Sequence, residues 1–140
     1  MKALLSLSTI YLARDMYIHY PTSIRLWLLT MIISQFVAPL FFLEHTAALW
    51  MSAAFFLGGS IMGLMHMNMG ITKAMGIAHI VWLPGMALIY RDLLSGGYSG
   101  PYFVWLVTAA VLGTICLLID TLDVIAYLRG NRVQTAPPAP

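Results

Sequence analysis

Four long apolar stretches set the pattern of this chain, each bounded by a short polar interruption. No charged residue occurs between Arg25 and Glu44, and the next apolar run continues from Ala47 to Met65. A third begins after Lys73 and reaches Tyr90, and a fourth runs from Tyr102 to Leu128, free of charge until Asp120 and Asp123. Taken as helices over 24–43, 47–65, 73–90 and 102–128, these runs hold roughly 20 residues each, enough at about 1.5 Å per residue to cross a hydrocarbon layer of about 30 Å. Glu44-His45-Thr46 makes the first turn and residues 66–72 the second, with Gly70 suited to a helix terminus. Residues 91–101, rich in Gly and Ser, form the one long loop expected. Pro39 predicts a kink in the last turn of the first span.

The segment 1–21 has a different pattern. Lys2, Arg14, Asp15 and His19 make it too polar to span. Leu4, Leu5, Leu7, Ile10, Tyr11 and Ile18 instead predict an amphipathic helix lying at the membrane interface. Its start looks superficially like a signal peptide, but Ser6, Ser8 and Thr9 break the apolar run and no small-x-small cleavage site follows, so it reads as retained. Pro21 ends it, and Thr22 or Ser23 can cap the next helix. The tail, 129–140, closes on TAPPAP and is expected to be disordered.

Composition narrows the class. The 140 residues are 61% hydrophobic and 9% charged, against about a quarter charged in a soluble domain. That excludes an ordinary soluble enzyme, a disordered chain and a nucleic-acid binder. The net charge of +2 makes no polybasic patch. The fold class is therefore an all-α integral membrane protein, a four-transmembrane-helix bundle with an N-terminal amphipathic interfacial helix. Of the seven basic residues, Lys2, Arg14, Arg25, Lys73, Arg129 and Arg132 fall on the side of the termini and Arg91 on the other. The positive-inside rule then places both termini in the cytoplasm, at the plasma (inner) membrane. A single cysteine, Cys116, excludes an intrachain disulfide framework and any multi-cysteine metal site.

Candidate chemistry comes from depth. His79 lies about 10 Å inside the boundary at Thr72, and Asp120 and Asp123 about 13 Å and 9 Å inside the same side. Gln35 lies deeper, and His66 stands near the surface. These five polar residues share one half of the bilayer. They also sit on the smaller or more polar faces of their helices: Gly113, Cys116, Asp120, Asp123 and Tyr127 on the fourth span; Ser52, Gly59, Gly63 and His66 on the second; Gly76, His79, Leu83 and Met86 on the third; Met31, Gln35, Ala38 and Phe42 on the first. Ionisable groups at this depth avoid lipid, so the faces should meet. They form either a pocket for a proton, cation, lipid headgroup or cofactor, or an interhelix His79–Asp120 pair with Asp123 near Lys73 or Arg129.

Other signals are duller. Gly59-Ser60-Ile61-Met62-Gly63 permits close helix packing within the bundle or between copies, and Gly113 offers a similar small position. Zinc held by His66, His79, Asp120 and Asp123 has no supporting spacing. Haem between His66 and His79 suffers from their difference in depth. Met62, Met65, Met67, Met69 and Met75 offer soft ligands for copper, but flexible packing explains them as well. No metal ligand or cofactor is assigned. Cys116 reads as a packing residue, Arg91-Asp92 as a solvated pair, and Glu44-His45 as a plain turn.

The four-span plan resembles that of small multidrug-type transporters and of membrane-associated eicosanoid and glutathione enzymes. The transporters' deep carboxylate in the first span is replaced here by Gln35, and the enzymes' arginine- and glutamate-rich second helix is absent. Three roles follow. The first is a small membrane protein acting by binding, as an accessory or assembly subunit or homo-oligomer that holds a lipid or hydrophobic ligand; the lack of a catalytic motif favours this non-enzymatic role. The second is a small transporter or proton- or cation-binding oligomer using Asp120, Asp123 and His79. The third is a membrane enzyme, or a haem or metal protein, centred on His79 and Asp120. The expected partners are the bilayer and a second copy or membrane protein, not nucleic acid.

Overall fold

The computed structural model describes residues 2–139, with side chains from Leu7 onward, so Leu4 and Leu5 of the expected apolar stripe lie outside the described side chains. An N-terminal helix, Lys2–His19, is followed by four helices long and apolar enough to cross a membrane: Thr22–Phe42, Thr46–Met69, Lys73–Ser95 and Gly100–Leu128. They pack as a bundle, and the chain is an integral membrane protein. Its outward faces are apolar, with Phe41, Phe56, Ile80, Val104 and Leu122 among the exposed side chains. The interior is built on small residues that let backbones approach: Ala47, Ala48, Ala54, Ala109 and Ala110 are buried around Met51, Trp82 and Leu106.

The first span is not one regular helix. It winds as an α-helix over Thr22–Ile32, a π turn over Ile33–Val37 and a 3-10 turn over Ala38–Phe42. The cause is Pro39. In the π turn the Ala38 amide donates to the Ile33 carbonyl. The next bond in that register would join residue 39 to the Ser34 carbonyl, and proline has no N–H to give. The Trp105 indole of the fourth span supplies the missing donor, its Nε1 donating to Ser34 O at 2.9 Å. A buried carbonyl left bare would cost on the order of 1–3 kcal/mol. The backbone defect thus becomes a lock between the first and last spans. At the start of this span Pro21, not Thr22 or Ser23, stands at the N-cap, and the amides of Ile24 and Arg25 reach its carbonyl at 3.0 and 3.1 Å.

The third span changes winding too, from a 3-10 helix over Lys73–Trp82 to an α-helix over Leu83–Ser95. A 3-10 helix has about 3.0 residues per turn, so residues three apart eclipse one another. Lys73, Gly76, His79 and Trp82 therefore form one row. The expected row of Gly76, His79, Leu83 and Met86 assumed α winding throughout. Leu83 is exposed, and buried Trp82 takes the place beside His79.

The N-terminal helix lies along the second span and buries Ser8, Leu12 and Asp15, while Leu7, Ile10 and Ile18 stay exposed. Gly63 permits the contact, since a Cβ there would stand 2.9 Å from Ser8 Oγ and 3.0 Å from Ser8 C. Gly59, the other half of the GxxxG element, has nothing within 4 Å of where its Cβ would stand. Leu12 packs on Ile71, Met75 and Ala136, with Met16, Met62 and Met65 filling in around them, so Met62, Met65 and Met75 act as flexible core residues here.

Two expectations about the connections give way. Helix continues to Ser95 and resumes at Gly100, so the long loop over 91–101 shrinks to four residues. The tail expected to be disordered carries a short strand, Gln134–Ala136, paired antiparallel with Ile71–Thr72. Gly70 turns the chain into this pairing at φ 71°, a conformation that favours glycine, and a side chain there would strike the Ala136 carbonyl. Ala136 is buried, and Gln134 Nε2 donates to Met69 O at 2.8 Å.

Candidate functional site

His79 and Asp120 meet between the third and fourth spans. His79 Nδ1 donates to Asp120 Oδ2 at 2.7 Å, and the Trp82 ring lies 4.4 Å from the imidazole, centroid to centroid. The Cys116 thiol, one turn back from Asp120, donates to the same oxygen at 3.5 Å. Gly76 sets the spacing: a Cβ there would come within 2.9 Å of Asp120 Cβ and 3.0 Å of its Cα. Without that side chain the Asp120 backbone and Cβ rest against the third span, and the carboxyl reaches the imidazole one 3-10 turn further on. One turn further along the same row, Lys73 Nζ donates to Asp123 Oδ1 at 2.6 Å.

This pair is only half closed. The His79 and Asp120 side chains retain 16% and 19% of their accessible surface. Asp120 forms part of the wall of a shallow groove of about 290 Å³ that opens between the two spans. The rest of the wall is largely aliphatic, including Ile80, Leu83, Leu117 and Val124. Thr121 also lines it, but its hydroxyl donates to Leu117 O at 2.7 Å. Asp120 Oδ1 takes no hydrogen bond from any described residue, which leaves it open to a donor.

The other expected site residues are placed elsewhere. His66 is fully buried on the far side of the second span, where Nε2 donates to Asp15 Oδ2 of the N-terminal helix at 2.9 Å. Asp15 is also held by Arg14 Nε at 2.8 Å. The Arg14 guanidinium keeps the Asp15 carboxyl below the usual carboxylate range, aided by His66 and opposed by burial. Gln35 is buried in the π turn and donates from Nε2 to Ala109 O at 3.1 Å; its Oε1 has no partner among the described residues. Gly113 opens space for Met86 and Gln35. A zinc set of His66, His79, Asp120 and Asp123 is not assembled, because each histidine engages a different carboxylate and Asp123 engages Lys73. One surface expectation is also corrected: Asp92 is buried, accepting from Arg91 and from the Tyr102 hydroxyl at 2.8 Å. Glu44-His45 is the turn expected, with the His45 ring stacked on Tyr102 at 3.7 Å.

Sequence reasoning left out of its site Asp15, Cys116 and Trp82. Cys116 was legible as a member of the stripe that carries Asp120. Trp82 was hidden by the change of helical period, and Asp15 by its place in a segment too polar to span. No protein-family model, curated protein or solved structure matches this chain.

Proposed function

We propose that this protein acts by binding: it holds a lipophilic molecule in the groove between the third and fourth spans, with Asp120 accepting a hydrogen bond from the molecule's polar head. The observation that carries this reading is Asp120, which lines an aliphatic groove with one carboxyl oxygen held by His79 and Cys116 and the other without a hydrogen bond from any described residue. A carboxylate facing acyl chains is costly unless something satisfies it. An alkyl alcohol or amine satisfies it while its chain covers Ile80, Leu83 and Val124. His79 orients the carboxylate, and Gly76 keeps it against the third span.

The division of the polar residues into separate pairs favours binding over conduction, because His66 and Gln35 do not extend the His79–Asp120 pair into a path. The basic residues of the terminal end support a cytoplasmic position for both termini in an inner membrane. The open Gly59 face is available to a second copy or a membrane-protein partner.

The test is photolabelling of the full chain in proteoliposomes with a long-chain alcohol that carries a photoreactive group in its alkyl tail. Label is expected on peptides covering residues 76–83 and 117–125. Ile80→Trp, which fills the groove, and Asp120→Asn, which keeps its shape, should both reduce labelling. Label spread evenly around the bundle and indifferent to Ile80→Trp would sink the reading.

A further inference from the structure

A ring nitrogen of His79, Cys116 Sγ and a carboxylate oxygen of Asp120 lie within 4.8 Å of one another. We infer that these three side chains form a site for a divalent transition metal ion of the zinc or cobalt kind, with one coordination position left for an outside ligand. This goes beyond the binding reading, and its readouts need no lipophilic ligand.

Donor chemistry makes the first argument. One imidazole, one thiolate and one carboxylate form a mixed N, S, O set that suits zinc-like ions, whereas magnesium and calcium prefer oxygen alone. Three protein ligands with a fourth position open is the arrangement of reactive zinc sites.

Distance makes the second. An ion about 2.0–2.3 Å from each donor in a tetrahedron places the donors about 3.3–3.6 Å apart. The Sγ–Oδ2 separation is 3.5 Å and the Nδ1–Oδ2 separation 2.7 Å. The second must widen by well under an ångström, and the third edge, from Sγ to a His79 ring nitrogen, closes from no more than 4.8 Å, shifts within reach of side-chain rotation.

Charge makes the third. A divalent ion with one thiolate, one carboxylate and a neutral imidazole sums to zero, the state an apolar interior tolerates best. On binding, the thiol releases its proton to the medium and the imidazole proton moves from Nδ1 to Nε2; no oxidant or reductant is needed. The donors are already held, with Gly76 fixing the approach of Asp120 and Trp82 lying against the His79 ring.

Cys116 is the only cysteine of the chain, so a thiolate-to-metal signal has a single source. The experiment titrates the tag-free full chain in mild detergent with Co2+. A thiolate-to-cobalt charge-transfer band should rise and saturate at one equivalent, and Zn2+ should displace it. Cys116→Ser should abolish the band, His79→Ala and Asp120→Asn should each weaken Co2+ binding about tenfold or more, and His45→Ala at the opposite end should leave it unchanged. As a check that needs no variant, Zn2+ should slow alkylation of Cys116 by a maleimide in the unaltered chain.

The absence of a band, or alkylation indifferent to Zn2+, overturns the metal site. Labelling by the long-chain alcohol without a cobalt band leaves the groove reading standing alone. A cobalt band without specific labelling upholds the metal site and removes the groove ligand.

Discussion

Apart from the looser, surface Glu44–His45 contact at 3.5 Å, the described residues form two short carboxylate–imidazole pairs, at 2.9 and 2.7 Å, in different surroundings. Asp15–His66 is sealed between the N-terminal helix and the second span, with His66 wholly buried and Arg14 as a third member. Asp120–His79 stands between the third and fourth spans, partly exposed and beside a groove. In the first, Asp15 is engaged by both Arg14 and His66, and His66 Nδ1, which has no partner among the described residues, is sealed in the interior. The second keeps a carboxylate oxygen without a hydrogen bond from any described residue and a thiol within reach. The difference teaches that intramembrane ionisable residues are read by what their remaining valences face, not by their presence alone.

The largest effect expected of any change to these pairs is from His66→Leu. It removes one of the two partners of the buried Asp15 carboxylate, leaving Arg14 alone to hold it, and should lower stability by about 3 kcal/mol, seen as a lower melting temperature and faster proteolysis of residues 2–19. An unchanged melting curve would show that the N-terminal helix docks without the pair.

Close packing should come next. Gly76→Ala and Gly63→Ala each bring a methyl against a neighbouring backbone and should cost about 1–3 kcal/mol, whereas Gly59→Ala, which meets open space, should stay within about 0.5 kcal/mol of the parent. Equal effects at Gly59 and Gly63 would mean that the GxxxG element works as a unit and not as two halves.

A smaller effect should follow acidification. The Asp15 carboxyl is depressed by Arg14 and His66 from an ordinary value of 3.8. Its contribution is therefore fully present above that value and is lost as pH falls through the lower, folded one. Hydrogen exchange of the N-terminal helix should accelerate below about pH 4 in the parent and lack that component in Asp15→Asn. A parent helix indifferent to acid would remove Asp15 from the docking contact.

A small stability effect is expected at the open pair. Asp120→Leu should change stability by less than about 1 kcal/mol, since the residue is partly exposed on an apolar surface, while abolishing specific labelling of the groove. A loss as large as that of His66→Leu would show that the second pair is structural as well.

Hydropathy and charge determined the class of this protein and the existence of four spans, because the chain must keep about 20 consecutive residues apolar to cross a bilayer. The 3-4 spacing on the fourth span also placed Cys116, Asp120 and Asp123 on one face, since α winding holds throughout Gly100–Leu128. That rule failed on the third span, where 3-10 winding exchanged Leu83 for Trp82. It also could not foresee that Pro39 would open a π turn whose orphaned carbonyl recruits Trp105. Pairing was beyond reach for a further reason: five polar residues in one half-bilayer can combine in many ways at similar depth. Only the packing of the N-terminal helix through Gly63 drew His66 to Asp15, and only the missing side chain at Gly76 brought Asp120 against the third span. Composition settles where a chain resides, but partners are settled by which backbones can approach within reach of a short side chain.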